Sequence, residues 1–166
     1  MEKEGFMKKY NNVHFIGIGG ISMSGLAKYL LLNGKKVTGS DLFSSNQTEE
    51  LCALGAKIHT NHSEKNLLSP DAVVFTSAIA LDNIELLSAT KNKIPVVKRS
   101  ELLGEILKSY PMSIAVGGSH GKTTATAMIA NVLIQAGKNP TVFLGGEDYA
   151  FGNFRLGQNI AVAEAC

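Results

Sequence analysis

The sequence is short of the features that would place it in several large classes of protein. Its 166 residues include two cysteines, Cys52 and Cys166, too far apart for a metal motif and too few for a disulfide framework, which points to a reducing compartment. The formal net charge is only +2, and the basic residues are scattered apart from pairs at 8–9 and 35–36. That balance argues against nucleic acid or an acidic membrane surface as a partner. No apolar run approaches the ~18 residues of a membrane span. The first apolar stretch, VHFIGIGG, is short, rich in glycine and preceded by polar KKYNN, which is not a secretory pattern. Repeats and low-complexity tracts are also missing. These absences lead to the expectation of a cytoplasmic protein without membrane insertion. Its hydrophobic content of 45% suffices for a packed core, in one domain or two small ones.

What is present is an alternation of short apolar runs and helical patterns. VHFIGI (13–18) reads as a buried strand, after which Met23, Leu26, Ala27, Leu30 and Leu31 recur on one helical face. Asn33-Gly34 ends that helix, and KKVTGSD (35–41) forms the next strand. NQTEELCALG predicts a helix capped by Asn46, with Glu49 three residues on and Gly55 as its stop. AKIHT, AVVFTS and PVVKR follow as strands, the last two separated by the helical DNIELLSATKN, and SELLGEILKSY is a further helix. SIAVG then restarts the strand–turn–helix plan, with Ala125, Met128, Ile129, Val132 and Leu133 as the expected apolar face; PTVFLGG and NIAVAEAC are later strands. The alternation predicts an α/β protein with parallel sheets covered on both faces, divided near Tyr110-Pro111.

Two glycine-rich turns of different design interrupt this pattern. In the first, Gly17 and Gly19 permit a tight turn and a close backbone approach, and the helix that follows offers unpaired N–H groups to a diphosphate. Asp41, 24 residues past Gly17 at the end of the next strand, is placed to accept from a ribose hydroxyl. The match to G-x-G-x-x-G is incomplete, because Ser22 holds the third position, so a plain tight turn and a dehydrogenase both stay open. The second turn, Gly117-Gly118-Ser119-His120-Gly121-Lys122-Thr123, is a shortened phosphate loop with Val116 where a strict motif has glycine. Its N–H groups can wrap phosphate oxygens while Lys122 supplies a cation and Thr123 a hydroxyl for Mg²⁺. Glu164, ending an apolar strand, could complete the metal site or could be a solvated rim residue.

The ordered segments HFIGIGGISMSGLA, VTGSD, FTSAI, IPVVKRSELLGEIL, GGSHGKTT, FLGG and VAEA resemble the Mur ligases, and the resemblance extends over nearly the whole chain. It implies a Rossmann-like parallel-sheet domain at 1–110 that binds a UDP-sugar without nicotinamide. Residues 111–166 would then be the first, incomplete part of a P-loop-type α/β ATPase domain. Within the family the likeness is to enzymes that join L-alanine to UDP-N-acetylmuramate with ATP and Mg²⁺, through an acyl phosphate, in peptidoglycan synthesis. Gly17, Gly19, Gly20, Ile21 and Ser22 would then face the diphosphate, with Ser40, Asp41 and Thr76, Ser77, Ala78 and Ile79 lining the same site. Gly118, Ser119, His120, Gly121, Lys122, Thr123 and Thr124 would bind ATP, with Lys122 catalytic and Thr123 and Glu164 holding the metal. His14, His59 and His62 read as structural or exposed.

The sequence departs from the family pattern at Ser22, at Gly117 (often threonine) and at Cys166 (often aspartate). Mur ligases run to three domains over several hundred residues, so the resemblance implies that this chain is a fragment that binds substrate without ligating. Rival expectations are a sister ligase that recycles a muramoyl-tripeptide, a non-catalytic nucleotide-sugar-binding module and, least favoured, an NAD dehydrogenase.

Overall fold

The computed structural model describes residues 5–165. A turn of helix, α1 (Phe6–Lys9), leads into β1 (Asn12–Ile16), α2 (Ile21–Leu32), β2 (Lys36–Ser40), α3 (Asn46–Ala53) and β3 (Lys57–His59). A short 3-10 turn (Glu64–Asn66) precedes β4 (Ala72–Phe75), α4 (Ile84–Lys91), β5 (Val96–Lys98) and α5 (Arg99–Lys108). Then come β6 (Met112–Val116), α6 (Lys122–Gln135), β7 (Thr141–Asp148), β8 (Gly152–Arg155) and β9 (Ile160–Glu164).

The strands form two sheets that change over between Lys108 and Met112. The first is all parallel, in the order β3-β2-β1-β4-β5, so the chain reverses direction of travel across the sheet between β1 and β4. Ile16 pairs with Ser40 on one side and Phe75 on the other. The turns that follow these three strands therefore start level and form a single rim, at the switch point where open α/β sheets bind ligands. The second sheet has the order β6-β9-β7-β8 and is mixed, because β8 returns antiparallel to β7 as a hairpin. The sequence pattern predicted only parallel strands here. The four residues of β8 are too few to show a period-2 signal beside the Gly- and Asp-rich turn before them.

Both sheets share helix α2. Of its expected face, Met23, Leu26, Ala27 and Leu30 are buried and Leu31 is half-buried, but Ser24, Gly25 and Tyr29 on another side are buried too, where the helix packs on β7 and β8. Phe143, Phe154 and Ala163 of the second sheet consequently belong to the same buried cluster as Phe15, Leu26 and Tyr29. Asn153 of β8, 2% exposed, locks the joint: its amide donates to the Ile21 carbonyl (2.7 Å) and to Ser24 Oγ (2.8 Å), and its oxygen accepts from Lys28 Nζ (2.8 Å). Tyr110 Oη and Thr141 Oγ1, 2.8 Å apart, add a second tie.

Two local expectations are corrected. Helix α3 is capped by Ser45, whose Oγ accepts from the Thr48 N–H while Thr48 Oγ1 takes the Ser45 N–H; Asn46 is already the first helical residue. In α6 the side chains buried against the sheet are Thr126 and Ala130, whereas Met128 and Val132 are 64% and 68% exposed. A helix lying close over β7 and β9 needs small residues at the contact, so burial selected the threonine–alanine stripe over the more hydrophobic one. Among the described residues no helix is long and apolar enough to cross a membrane.

Candidate functional site

The first glycine turn opens α2 at the end of β1. Gly17 has φ +79°, a left-handed conformation that other L-residues resist, and its carbonyl accepts from the Gly20 N–H to close the turn. The Gly19 N–H donates to Asp41 Oδ2 at 2.8 Å, and a Cβ on Gly19 would stand 2.9 Å from that oxygen. The acidic residue is thus tied directly to the turn it was expected to serve. Gly17, Gly19, Gly20, Asp41, Thr76, Ala78 and Ile79 line one open cleft of about 410 Å³, together with Leu42, Phe43, Ser45 and His62.

The remaining residues expected at this site do not line the cleft. Ile21 turns its carbonyl to Asn153 in the joint between the sheets. Ser77 is an exposed residue of the Thr76–Ile79 turn and does not line the cleft. Ser22 lines a separate, narrow crevice between the sheets with Arg99, Gly145 and Glu164. Ser40 is fully buried, with its Oγ 2.9 Å from Nδ1 of the cleft-lining His62.

Ser40 belongs to a polar cluster that the sequence did not reveal. It surrounds Glu85, at the start of α4, whose carboxylate is wholly inaccessible. Ser40 Oγ donates to Glu85 Oε2; the Asn66 amide (2.6 Å) and the Ser63 N–H (3.1 Å) donate to Oε1. His62 Nδ1 lies 2.9 Å from Ser40 Oγ and 3.3 Å from Glu85 Oε2, and His14 Nε2 approaches Oε2 at 3.5 Å. Burial by itself would raise the Glu85 pKa, but the nearby His14 ring and the hydrogen bonds from Ser40, Asn66 and the Ser63 backbone outweigh it and hold the carboxyl down to about 2. His14 is buried as the sequence suggested; His62 reaches the cleft wall.

The second turn joins β6 to α6. Gly121 caps α6 in the left-handed region at φ +74°, which leaves the first N–H groups of the helix facing outward. Gly118, Ser119, His120 and Thr124 are exposed around it. Lys122 Nζ is folded back onto the Gly118 carbonyl at 2.8 Å, so the cation sits over the loop interior. Val116 pairs with Glu164 across β6 and β9, which sets the acid beside the start of the loop.

Gly145 and Gly146 explain the FLGG segment in spatial terms. A Cβ on Gly145 would meet Glu164 Oε2 at 2.8 Å, and one on Gly146 would meet Thr123 Cγ2 at 2.9 Å. Two successive residues without side chains therefore leave room for the two groups expected to hold Mg²⁺. The Gly145 N–H donates to Glu164 Oε1 at 2.6 Å, orienting the carboxylate and leaving Oε2 free of protein hydrogen bonds among the described residues. No group of three or more His, Cys, Asp or Glu side chains among those residues could hold a metal unaided. A hydroxyl and a single carboxylate fit Mg²⁺, which keeps waters and takes its other ligands from phosphates. Cys166 lies outside the described residues.

A model of the Mur ligase family, catalytic domain, matches residues 12–111. The chain belongs to the Mur ligase family. The match covers the five-stranded sheet, and Lys122 and Glu164 lie beyond it. Among relatives of this Mur ligase chain, the UDP-N-acetylmuramate–L-alanine ligase of Acetivibrio thermocellus is 53% identical over 160 residues, 95% of this chain and 34% of its own length. The corresponding ligase of Caldanaerobacter subterraneus is 48% identical over 162 residues, 96% of this chain and 35% of its own. The chain thus spans about a third of the length of the curated relatives it matches. Among solved structures, UDP-N-acetylmuramate-alanine ligase MurC from Thermotoga maritima superposes with TM-score 0.87 at 40% identity, over 92% of this chain and 36% of that one. The UDP-N-acetylmuramate:L-alanyl-gamma-D-glutamyl-meso-diaminopimelate ligase from Neisseria meningitides gives 0.86 at 27% identity, over 93% and 52%.

The packing at Gly145 predicts a separation of stability from metal binding. In Gly145→Ala the new methyl group meets only the far end of a flexible side chain, so a thermal melt should show stability changed by less than about 1 kcal/mol. The displaced Glu164 should weaken Mg²⁺-dependent ATP binding about tenfold, measured in an enzyme of the relatives' full length carrying this segment. Unchanged Mg²⁺–ATP affinity would remove Glu164 from the metal site.

Proposed function

We propose that this chain is the substrate-binding and nucleotide-loop portion of an ATP-dependent ligase that joins L-alanine to UDP-N-acetylmuramate. One observation carries the proposal: two phosphate-type turns of different design open helices at the carboxyl ends of two separate sheets, held in one body by α2 and Asn153. The names of relatives with about half their residues identical support the same assignment. Residues 1–110 form the UDP-sugar-binding unit, with the diphosphate on the Gly17–Gly20 turn and the ribose near Asp41. Residues 111–166 begin the ATP-binding unit.

In the proposed reaction the lactyl carboxylate of the sugar attacks the γ-phosphorus of ATP, giving an acyl phosphate and ADP. The alanine amine attacks the acyl carbon, loses a proton and expels phosphate, leaving the amide. Lys122 leaves the Gly118 carbonyl to neutralise charge on the phosphoryl oxygens, and the loop N–H groups and the α6 N-terminus orient them. Thr123 and Glu164 would hold Mg²⁺, which supplies further neutralisation of the phosphates. A free Cys52 and nucleotide substrates suit a cytoplasmic enzyme. A sister ligase that adds a peptide shares this segment at 27% identity, and the higher identity to alanine-adding enzymes favours L-alanine.

Calorimetric titration of the 166-residue chain with UDP-N-acetylmuramate and, separately, NAD tests the first half of the proposal. Binding of the UDP-sugar without binding of NAD is expected. Tighter binding of NAD would replace the ligase with a dehydrogenase.

A further inference from the structure

His62 is the one polar side chain of the nucleotide cleft wall whose inner end belongs to the Glu85 cluster. The hydrogen-bond roles in that cluster follow from the chemistry of its members. An ionised carboxylate only accepts, so the single Ser40 hydroxyl proton points at Glu85 Oε2. Ser40 Oγ then has lone pairs alone to offer His62, and the Nδ1 it faces at 2.9 Å must carry the ring proton. In a neutral imidazole this makes Nε2 an unprotonated acceptor, and it points away from Nδ1. His62 Nε2 has no hydrogen-bond partner among the described residues. It is also not among the buried atoms left without one, which are His14 Nε2 and Thr126 Oγ1, so it is accessible from outside. With its side chain only 16% exposed, His62 is held with Nε2 at the cleft surface.

Its neighbours indicate what it would meet. Ser40, which fixes the ring, immediately precedes Asp41, and Asp41 is bonded to the diphosphate turn through Gly19. The edge of the cleft beyond the diphosphate on that side is where a nucleoside would lie. We propose that His62 is a substrate-binding residue whose Nε2 accepts a hydrogen bond from a donor on the uridine, either a ribose hydroxyl or the N3–H of the base. The inference rests on the UDP-binding function proposed above and adds to it a polar contact that selects the nucleoside. Glu85 and Ser40 act through His62 as positioning residues that set its tautomer.

The test uses the 166-residue chain with UDP, 2′-deoxy-UDP, 3′-deoxy-UDP and N3-methyl-UDP, each titrated by calorimetry. UDP should bind, and the analogue lacking the relevant donor should bind about 3- to 10-fold more weakly, as expected for one net hydrogen bond. Which analogue loses affinity identifies the donor. His62→Asn keeps an amide that can donate inward to Ser40 but removes the outer acceptor, so it should weaken UDP by the same factor and bind UDP and that analogue alike. His62→Gln carries an amide oxygen to the outer position and should recover part of the discrimination. In ¹⁵N NMR spectra of the unmodified chain at pH 8, Nδ1 should be the protonated nitrogen and Nε2 should shift on adding UDP, a readout that needs no variant to fold. Equal affinity for UDP and all three analogues, discrimination that survives in His62→Asn, or a ring protonated at Nε2 would each overturn the proposal while leaving UDP binding intact. Failure of the unmodified chain to bind UDP would overturn both this proposal and the function on which it rests.

Discussion

Lys122→Ala is expected to weaken ATP binding at least about tenfold, the worth of one charge-assisted contact to phosphate. In an enzyme of the relatives' full length carrying this segment, turnover should fall further, by about 100-fold or more, because charge accumulates on the phosphoryl oxygens during transfer and the cation acts most strongly there. The fold should tolerate the change. Lys122 begins α6, its Nζ hydrogen-bonds only the Gly118 carbonyl among the described residues, and alanine is a strong helix former. Affinity for UDP-N-acetylmuramate should remain within about twofold, since the Gly17–Gly20 turn stands on the other sheet. Calorimetry with each ligand, alongside phosphate release with ATP, L-alanine and the UDP-sugar, checks all three parts. An equal loss of affinity for both nucleotides would contradict the assignment of two separate phosphate sites.

The largest stability effect is expected at Glu85. Glutamine keeps the size of the side chain but replaces one acceptor oxygen with an NH₂ group. That group would face the Ser40 hydroxyl and His62 on one side, or the Asn66 amide and Ser63 N–H on the other. On the Asn66 and Ser63 side two donors then confront each other, and on the Ser40 side the hydroxyl must give up its bond to the carboxylate and turn to accept; an unpaired buried polar group costs about 1–3 kcal/mol and breaking a buried charged network costs more. Glu85→Gln should therefore lose about 3 kcal/mol at pH 7, a large share of the 5–15 kcal/mol that holds a typical domain together.

The pH dependence gives that prediction its sign. Glu85 titrates at about 2 in the folded chain, below the 4.5 of an unperturbed glutamate. A depressed carboxyl pKa means the unfolded state binds the proton more readily. The contribution of Glu85, about 3 kcal/mol for a shift of this size, is complete above the unfolded pKa and is lost as pH falls from about 4.5 towards 2. Urea unfolding of the unmodified chain and of Glu85→Gln at pH 7, 5 and 3 should show the gap between them narrowing at pH 3. Other carboxylates are common to both chains and cancel in the comparison. A gap that stays constant with pH would mean that Glu85 is held by packing and not by its ionised hydrogen bonds.

The arrangement of these sites divides into parts set by neighbouring residues and parts set by packing. The strand–turn–helix units around Gly17 and Gly121 were legible in the sequence, because a left-handed turn, an apolar run and a helical period are all properties of adjacent residues. Asp41 was placed beside the Gly17 and Gly19 turn by its spacing, and Thr76 and Ile79 joined them through the resemblance to the Mur ligases; the parallel strands bring all five to one rim. Distance in sequence hid the rest. His62 and Glu85 lie 22 and 45 positions after Ser40, and no single segment signals that the Glu85 carboxylate will collect donors from such distant residues. The same holds for Asn153, more than a hundred residues from the helix it secures. It holds too for Gly145, whose missing side chain matters only because Glu164 lies across the sheet. By itself the sequence determined the alternating α/β plan and the two glycine turns that open helices at strand ends. The tertiary structure alone decided that α2 would bury a second face, that α6 would bury its small residues, that Ser40 would leave the cleft floor and that His62 would join its wall. Those outcomes depend on how closely two distant surfaces approach, which is set by the fit of side chains across the interface and not by the local order of residues.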